Sequence, residues 1–384
     1  MRTLETNVAR ILVIRRRYVG DLILLEPFLR NLREAHPEAW ITVVVDQGYE
    51  DVLRGCTSLD EIAVLPVRGG PLARLRAWVR LAGQVRRSDL AFDFSRNEQS
   101  ALLLALSGAP RRVSHEITDD AAVRRRRWSD RFRRRLTSTD LVRLTRAEQV
   151  AMHAVDYENL LLHAVGIETP HRRPSLRVAE GARGRARELA ARARGDGRDR
   201  PLVLLHPGGR GESKQWPVER FAAVADALEA APGAAVVFVA GPGEGHLARR
   251  FREARRGDGG LVLDEVPSFS DLYALLAECA LFVGNDSGPA HMAEAVGTPT
   301  LTLFGATRVA VWRPLGERDV VLQPDLPCGE ACLRPAVCGD GKPRWCVRRI
   351  EEGEVIAAAR RMLEAAARGP SGRSGSGVVA EMVE

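Results

Sequence analysis

The feature that most constrains this chain is an alternation of short apolar, β-branched runs with amphipathic stretches, met once in each half. Ile11 to Ile14, Ile41 to Val45, Ile62 to Pro66 and Leu90 to Phe94 read as strands, and Leu22 to Ala35 and Leu72 to Val85 have helical periodicity. Strands alternating with helices specify a parallel sheet with crossover connections. A helical stretch from Ala147 to Val165 follows. The composition then shifts: Gly166 to Arg200 holds Pro170, Pro174 and an Arg/Ala/Gly-rich stretch with room for one surface helix. Beyond it the alternation resumes. Leu202 to His206, Ala235 to Ala240, Leu261 to Leu263, Leu281 to Gly284 and Thr300 to Phe304 read as strands, with helices over Val218 to Ala230, His246 to Arg255, Ser270 to Ala280 and from Pro289. A chain of 384 residues, 45% of them hydrophobic, can build two such domains, each with its own core. The expected boundaries are 1–175, 176–350, a last helix over 351–367 and a disordered Gly/Ser-rich tail over 368–384. The fold class is α/β, with two facing Rossmann-like doubly wound domains and a cleft between them. Ligands of such sheets bind at the carboxyl ends of the strands.

Several motifs fall at those strand ends. Only two of the 57 basic residues are lysine, Lys214 and Lys342. Lys214 follows the strand Leu202 to Leu205 and the turn His206-Pro207-Gly208-Gly209, just before the helix near Pro217. Glycines 208 and 209 expose backbone N–H groups to an anion, and a lysine adds compact charge that arginine's planar fork cannot imitate. A phosphate site is expected there, against the alternative of a solvated loop lysine. Asn285-Asp286-Ser287-Gly288-Pro289-Ala290-His291 follows another strand. Asp286 or Ser287 can cap the next helix, Pro289 fits its first turn, and Gly288 lets a ligand approach the backbone. A plain capped helix is the alternative. Glu244, in Gly241-Pro242-Gly243-Glu244, can accept both hydroxyls of a ribose or be an exposed loop carboxylate. In the first half Asp21, in Tyr18-Val19-Gly20-Asp21, starts a helix as a cap or serves as a general base.

Charge and cysteine usage narrow the function classes. Between residues 122 and 135 stand eight arginines and one aspartate, which carry the chain's entire net charge of +7. Only Trp128 and Phe132 interleave with them, so nucleic-acid binding is not expected. The sharper reading is a patch including Arg124, Arg125, Arg126 and Arg127 for an anionic membrane surface or a phosphorylated acceptor, against a merely solvated insertion. Cys328, Cys332, Cys338 and Cys346 form a cluster without the close pairs of common zinc modules; a local structural cluster is the default reading and structural zinc the alternative. Cys56 and Cys279 read as core residues. No apolar run approaches the ~20 residues of a bilayer span, and the segment before Ile14 shows no cleavable signal region. The chain is therefore expected in the cytoplasm, peripheral on the inner membrane where the arginine patch engages it.

Taken in order, Gly20-Asp21, His206-Pro207-Gly208 through Lys214-Gln215-Trp216-Pro217, Gly241-Pro242-Gly243-Glu244, Asp286-Ser287-Gly288-Pro289-Ala290-His291 and Leu303-Phe304-Gly305 resemble glycosyltransferase family 9. These are the heptosyltransferases that build the inner core of bacterial lipopolysaccharide. The resemblance runs from Ile11 to near Ala367 and includes the four-cysteine segment. It implies a GT-B architecture and inverting, metal-independent transfer from an ADP-heptose donor, a nucleotide-diphosphate sugar, to an anionic glycolipid acceptor, with no cofactor required. It further implies Asp21 as catalytic base, Lys214 at the donor diphosphate and Glu244 at the ribose. Asp286, Ser287 and Gly288 would hold sugar and phosphates with His291 in the same motif, and Pro267 and Ser268 would lie near the base. The dense arginine stretch and the tail depart from the family pattern. The competing functions are the same fold using another nucleotide sugar or a capsule or other glycan acceptor, a nucleotide-sugar epimerase, and a non-catalytic nucleotide-sugar-binding protein.

Overall fold

The computed structural model describes residues 8–95, 97–118, 137–197, 199–325 and 346–368. The chain divides into two compact units, Met1–Arg177 and Val178–Glu384. The first contains a six-stranded sheet of β1 (Arg10–Ile14), β2 (Trp40–Asp46), β3 (Glu61–Leu65), β4 (Leu90–Asp93), β5 (Arg111–Ile117) and β6 (Asp140–Leu144). Its spatial order is β3-β2-β1-β4-β5-β6, and all its pairs are parallel. The second contains β7 (Leu202–His206), β8 (Ala235–Val239), β9 (Leu261–Leu263), β10 (Leu281–Asn285), β11 (Thr300–Leu303) and β12 (Val320–Leu322), in the order β12-β11-β10-β7-β8-β9, again all parallel. Read from its other edge, this is the same doubly wound order as the first. Each sheet therefore has one switch point, beside its first strand: between β1 and β4, and between β7 and β10.

Both switch strands are apolar because crossover helices cover both faces of a parallel sheet. Leu12, Val13 and Ile14 of β1 and Leu202 to Leu205 of β7 are fully buried. In the second unit the core passes through Phe221, Phe238 and Phe251 to the last helix, Glu352–Ala367, which seats Val355, Ala358, Ala359 and Leu363. Trp216 closes this core, and its indole N–H donates to the Ile350 carbonyl at 2.9 Å.

Two expected helices are divided. The stretch Leu22 to Ala35 forms Val19–Leu24 and Glu26–Ala35, because Pro27 lacks an N–H and serves as the first turn of a new helix. Asp21 consequently lies within a helical first turn. The stretch 147–165 breaks at Met152, where His153 caps Ala154–His163 through Nδ1, 3.2 Å from the Val155 N–H. No strand is expected from the sequence at β5, whose Ser114, His115 and Glu116 are buried despite their polarity. Nor is the helix Glu98–Leu106, closed by reciprocal bonds between Asn97 and Ser100 at 3.0 Å. No helix among the described residues is long and apolar enough to cross a membrane.

Candidate active site

At the end of β1 the chain enters a run of three arginines, and the first two are drawn inward. Arg16 is buried, with Nε 2.6 Å from Asp46 Oδ1 at the end of β2, and donates to Asn97 Oδ1 at 2.8 Å. This guanidinium thus ties three strand-end loops together across the switch point. Arg15 lies 3.0 Å from Asp21 Oδ1 and 3.0 Å from Glu158 Oε1. Asp21 also accepts from the Tyr18 N–H at 3.3 Å, so it completes its helix start and keeps an ion pair at once. Of the three groups Asp21 is the most open, at 19% side-chain exposure against 2% for Glu158. Burial pushes Glu158 up to about 8, against the pull of Arg15 and aided by the Asp21 charge. Burial acts against the Arg15 cation, yet the two carboxylates together raise it above its usual range. Near neutral pH Glu158 is therefore largely protonated beside the Arg15 cation.

In the second unit the candidate residues gather at the ends of β7, β8 and β10. Lys214 ends the short turn Glu212–Lys214, and its Nζ is 2.6 Å from Asp286 Oδ2, just beyond β10. Asp286 is thus committed to the lysine rather than to the helix. Ser287 is the first residue before the helix Gly288–Ala295, but no side chain caps that helix, and Ser287 Oγ is shielded without a hydrogen-bond partner among the described residues. The motif leaves its N–H groups without the side-chain oxygen that ordinarily answers them.

Glu244 folds back on its own turn and accepts from the Gly241 N–H at 2.9 Å. Its carboxylate lies so close to Gly208 that a Cβ there would meet Oε2 at 2.2 Å, which is a physical reason for glycine at 208. Gly243 has φ +80°, the left-handed conformation that lets the chain double back. His206, at the end of β7, has Nε2 3.9 Å from Glu244 Oε2; burial holds the ring below its usual pKa, and the nearby carboxylate opposes this only in part. The imidazole is neutral near pH 7, so this contact is no ion pair. Asn285 joins the two halves of the site. Its amide donates to the Pro207 carbonyl at 2.6 Å and its Oδ1 accepts from the Trp216 N–H at 3.1 Å, pinning both ends of the glycine loop.

The remaining expected residues have structural partners. His291 is buried, 3.3 Å from Glu294, whose other oxygen accepts from the Leu315 N–H at 2.6 Å. Ser268 caps the helix Phe269–Ala277 by accepting from the Asp271 N–H at 3.1 Å, and Pro267 before it is exposed. Arg124 to Arg127, Cys328, Cys332 and Cys338 lie outside the described residues, as does the tail from 369; Cys346 is half-buried. Among the described residues no group of three or more His, Cys, Asp or Glu is placed to hold a metal ion.

Comparison with known proteins fixes the class of this arrangement. The family model described as glycosyltransferase family 9 (heptosyltransferase) matches residues 78–337. The chain belongs to glycosyltransferase family 9. The enzyme is 26% identical over 365 residues to lipopolysaccharide heptosyltransferase 3 of Escherichia coli, covering 92% of this chain and 99% of that one. Among solved structures it resembles the family 9 glycosyltransferase of Veillonella parvula, with a TM-score of 0.76 at 26% identity over 94% of this chain and 99% of that one. It also resembles the E. coli ADP-heptose lipopolysaccharide heptosyltransferase II in fold, with a TM-score of 0.72 at 22% identity over 93% and 99%. The protein is thus a glycosyltransferase of the heptosyltransferase family, and its two Rossmann-like units are those of the GT-B class.

Arg15, Arg16 and Glu158 lie outside the motifs that mark this glycosyltransferase in its sequence. Glu158 had a visible signal: it stands three residues from both Val155 and Leu161, on the buried stripe of its helix. Arg15 and Arg16 were hidden by a composition in which nearly every basic residue is arginine.

Proposed function

We propose that the enzyme moves a heptose from an ADP-heptose donor to an inner-core lipopolysaccharide acceptor, with inversion and without a divalent cation. The first unit would take the acceptor and the second the nucleotide sugar. The observation that carries this reading is the meeting, at the ends of β7, β8 and β10, of one lysine–aspartate pair, one uncapped helix start and one carboxylate folded against a glycine turn. A diphosphate needs compact positive charge and N–H donors, and a ribose needs a carboxylate acceptor.

In this reading Asp21 accepts the proton of the acceptor hydroxyl while that oxygen attacks the anomeric carbon. The bond from that carbon to the diphosphate oxygen breaks on the opposite face, and ADP leaves with the electron pair. Lys214 and the N–H groups at 288 and beyond take up the charge developing on the leaving group, a role often performed elsewhere by a metal ion. Arg15 aims the Asp21 carboxylate. A glycolipid acceptor would bring the protein to the inner-membrane surface as a peripheral enzyme.

Calorimetric titration with ADP, UDP and GDP, with and without magnesium, tests the donor. ADP binding that ignores magnesium and is lost in Lys214→Ala is the expected result. A preference for UDP or GDP would overturn the donor assignment while leaving the family intact.

A further inference from the structure

The helix Pro71–Val85 has two apolar stripes, and only one is seated. Leu81 and Val85 are buried and, with half-buried Trp78, pack on the core of Leu65, Ala91 and Leu103. On its other side Leu72, Leu75 and Val79 are 73%, 60% and 66% exposed. At 3.6 residues per turn these three fall within a sector of about 60°, opposite the seated stripe. Val67, in the preceding loop, is exposed as well.

The segment's own charge is all of one sign, and the nearby Glu61 is held by Gln84 at 2.7 Å. Residues 66–88 hold Arg68, Arg74, Arg76, Arg80, Arg86 and Arg87 and no aspartate or glutamate, and all six arginines are exposed. None of them forms an ion pair among the described residues. Arg76 and Arg80 follow the leucine stripe on one flank by the same helical geometry. Aliphatic side chains bordered by free guanidinium groups match an anionic lipid surface, where acyl chains receive the first and headgroup phosphates the second. A second copy of this face would bring like charges together, and an extended nucleic acid would leave the leucines in water.

We propose that the helix Pro71–Val85 is the membrane-docking face of this enzyme, inserting Leu72, Leu75 and Val79 at the headgroup boundary of an anionic bilayer. This deepens the glycolipid-acceptor reading and rests on it for its purpose. It also assigns docking to a helix other than the arginine stretch at 124–127.

Co-sedimentation of the full chain with acceptor-free vesicles tests it, using phosphatidylglycerol/phosphatidylethanolamine against pure phosphatidylcholine at about 0.1 M salt. Three variants are compared with wild type: Leu72→Ser/Leu75→Ser/Val79→Ser, Arg76→Glu/Arg80→Glu, and one with Arg124, Arg125, Arg126 and Arg127 all replaced by serine. The wild type should pellet with anionic vesicles only, and both helix variants should lose roughly tenfold or more in partitioning. Their melting temperature and ADP affinity should stay at the wild-type level. Docking by this helix is overturned by wild-type protein that does not pellet, by helix variants that pellet normally, or by loss confined to the 124–127 variant. Sedimentation velocity showing a dimer that the leucine variant dissociates would overturn it too, by making the face a protein interface. Failure of the ADP titration would strike the donor reading alone, since these vesicles contain no acceptor and no nucleotide.

Discussion

The two switch points share a strand order but are built from opposite materials. Beside β1 the loops are locked by side-chain charge: Arg16 to Asp46 and Asn97, Arg15 to Asp21 and Glu158. Beside β7 the geometry is held by amides and glycines, through the Asn285 side chain, the Gly241 N–H and the bare Cα of Gly208. The difference suits two kinds of work. A group that moves a proton needs a fixed direction, and buried ion pairs provide it at the risk of a large loss if one partner goes. A site that receives a polyanion needs donors not already spent on protein carboxylates. At the second site the unspent donors are the N–H groups of the helix start at Gly288, which has no side-chain cap, whereas Lys214 is held by Asp286.

The largest effect is expected at Asp21. Asp21→Asn should lower turnover by about 10²–10⁴, the usual range for a lost general base, with nucleotide affinity unchanged, because the donor residues proposed above belong to the other unit. Steady-state kinetics alongside calorimetry would read this, and near-normal turnover would leave Asp21 as a helix-start residue only. Next comes Arg16→Ala. It strands the buried Asp46 carboxylate, with only Arg17 at 3.7 Å to compensate among the described residues, so a loss of about 3 kcal/mol in unfolding free energy is expected by denaturant titration. A loss under 1 kcal/mol would show that the first switch point is not held by charge.

Lys214 sharpens the contrast. Lys214→Ala should cut kcat by about 10²–10³, the scale of one lost transition-state donor. Lys214→Arg should recover little of it, because the planar guanidinium forks onto Asp286 where the ammonium meets it as a point. Full recovery in the arginine variant would mean that charge alone matters there. Lys214→Ala should also lower the melting temperature, because it leaves the buried Asp286 carboxylate without its cation, whereas Lys214→Arg keeps a positive charge there and should lower it less.

What the sequence disclosed divides along the same line. Glycine turns after β-branched strands are local signals, so the loops at Gly208, Gly241 and Gly288 and the alternating α/β plan are legible in the order of residues. The common strand order of the two sheets is not, because it is a property of pairing between segments far apart in the chain. Pairings across long separations are hidden for the same reason: Arg15 finds Glu158 more than a hundred residues away, and no local pattern marks one arginine among dozens. β5 escapes a reading by apolar runs because Ser114, His115 and Glu116 interrupt it while remaining buried. Asp286 shows the limit of local chemistry. A capping aspartate is a sound reading of Asp-Ser-Gly-Pro, and tertiary structure turns the side chain to Lys214 instead.

The mildest test concerns Glu158, the member of the first site whose protonation state distinguishes the two regions. Its folded-state pKa of about 8 stands above the ordinary carboxylate value of 4.5, so the native state binds a proton that the unfolded chain has released between those two values. Stability should therefore fall as pH rises from about 5 to about 8 and level off above the folded pKa. Glu26, which burial raises to about 7 despite Arg30, gives a slope of the same sign, so the reading must be a difference between proteins. Glu158→Gln keeps the neutral carbonyl toward Arg15 and has nothing to ionise. Relative to wild type it should be about equal in stability at pH 5 and clearly more stable at pH 8.5, the gap reading out the realised shift at about 1.4 kcal/mol per pKa unit. Thermal unfolding of both proteins across this range measures it. A variant equally destabilised at every pH would mean that Glu158 is ionised throughout, and the first site would then be an Arg15 cation shared between two carboxylates rather than one committed to Asp21.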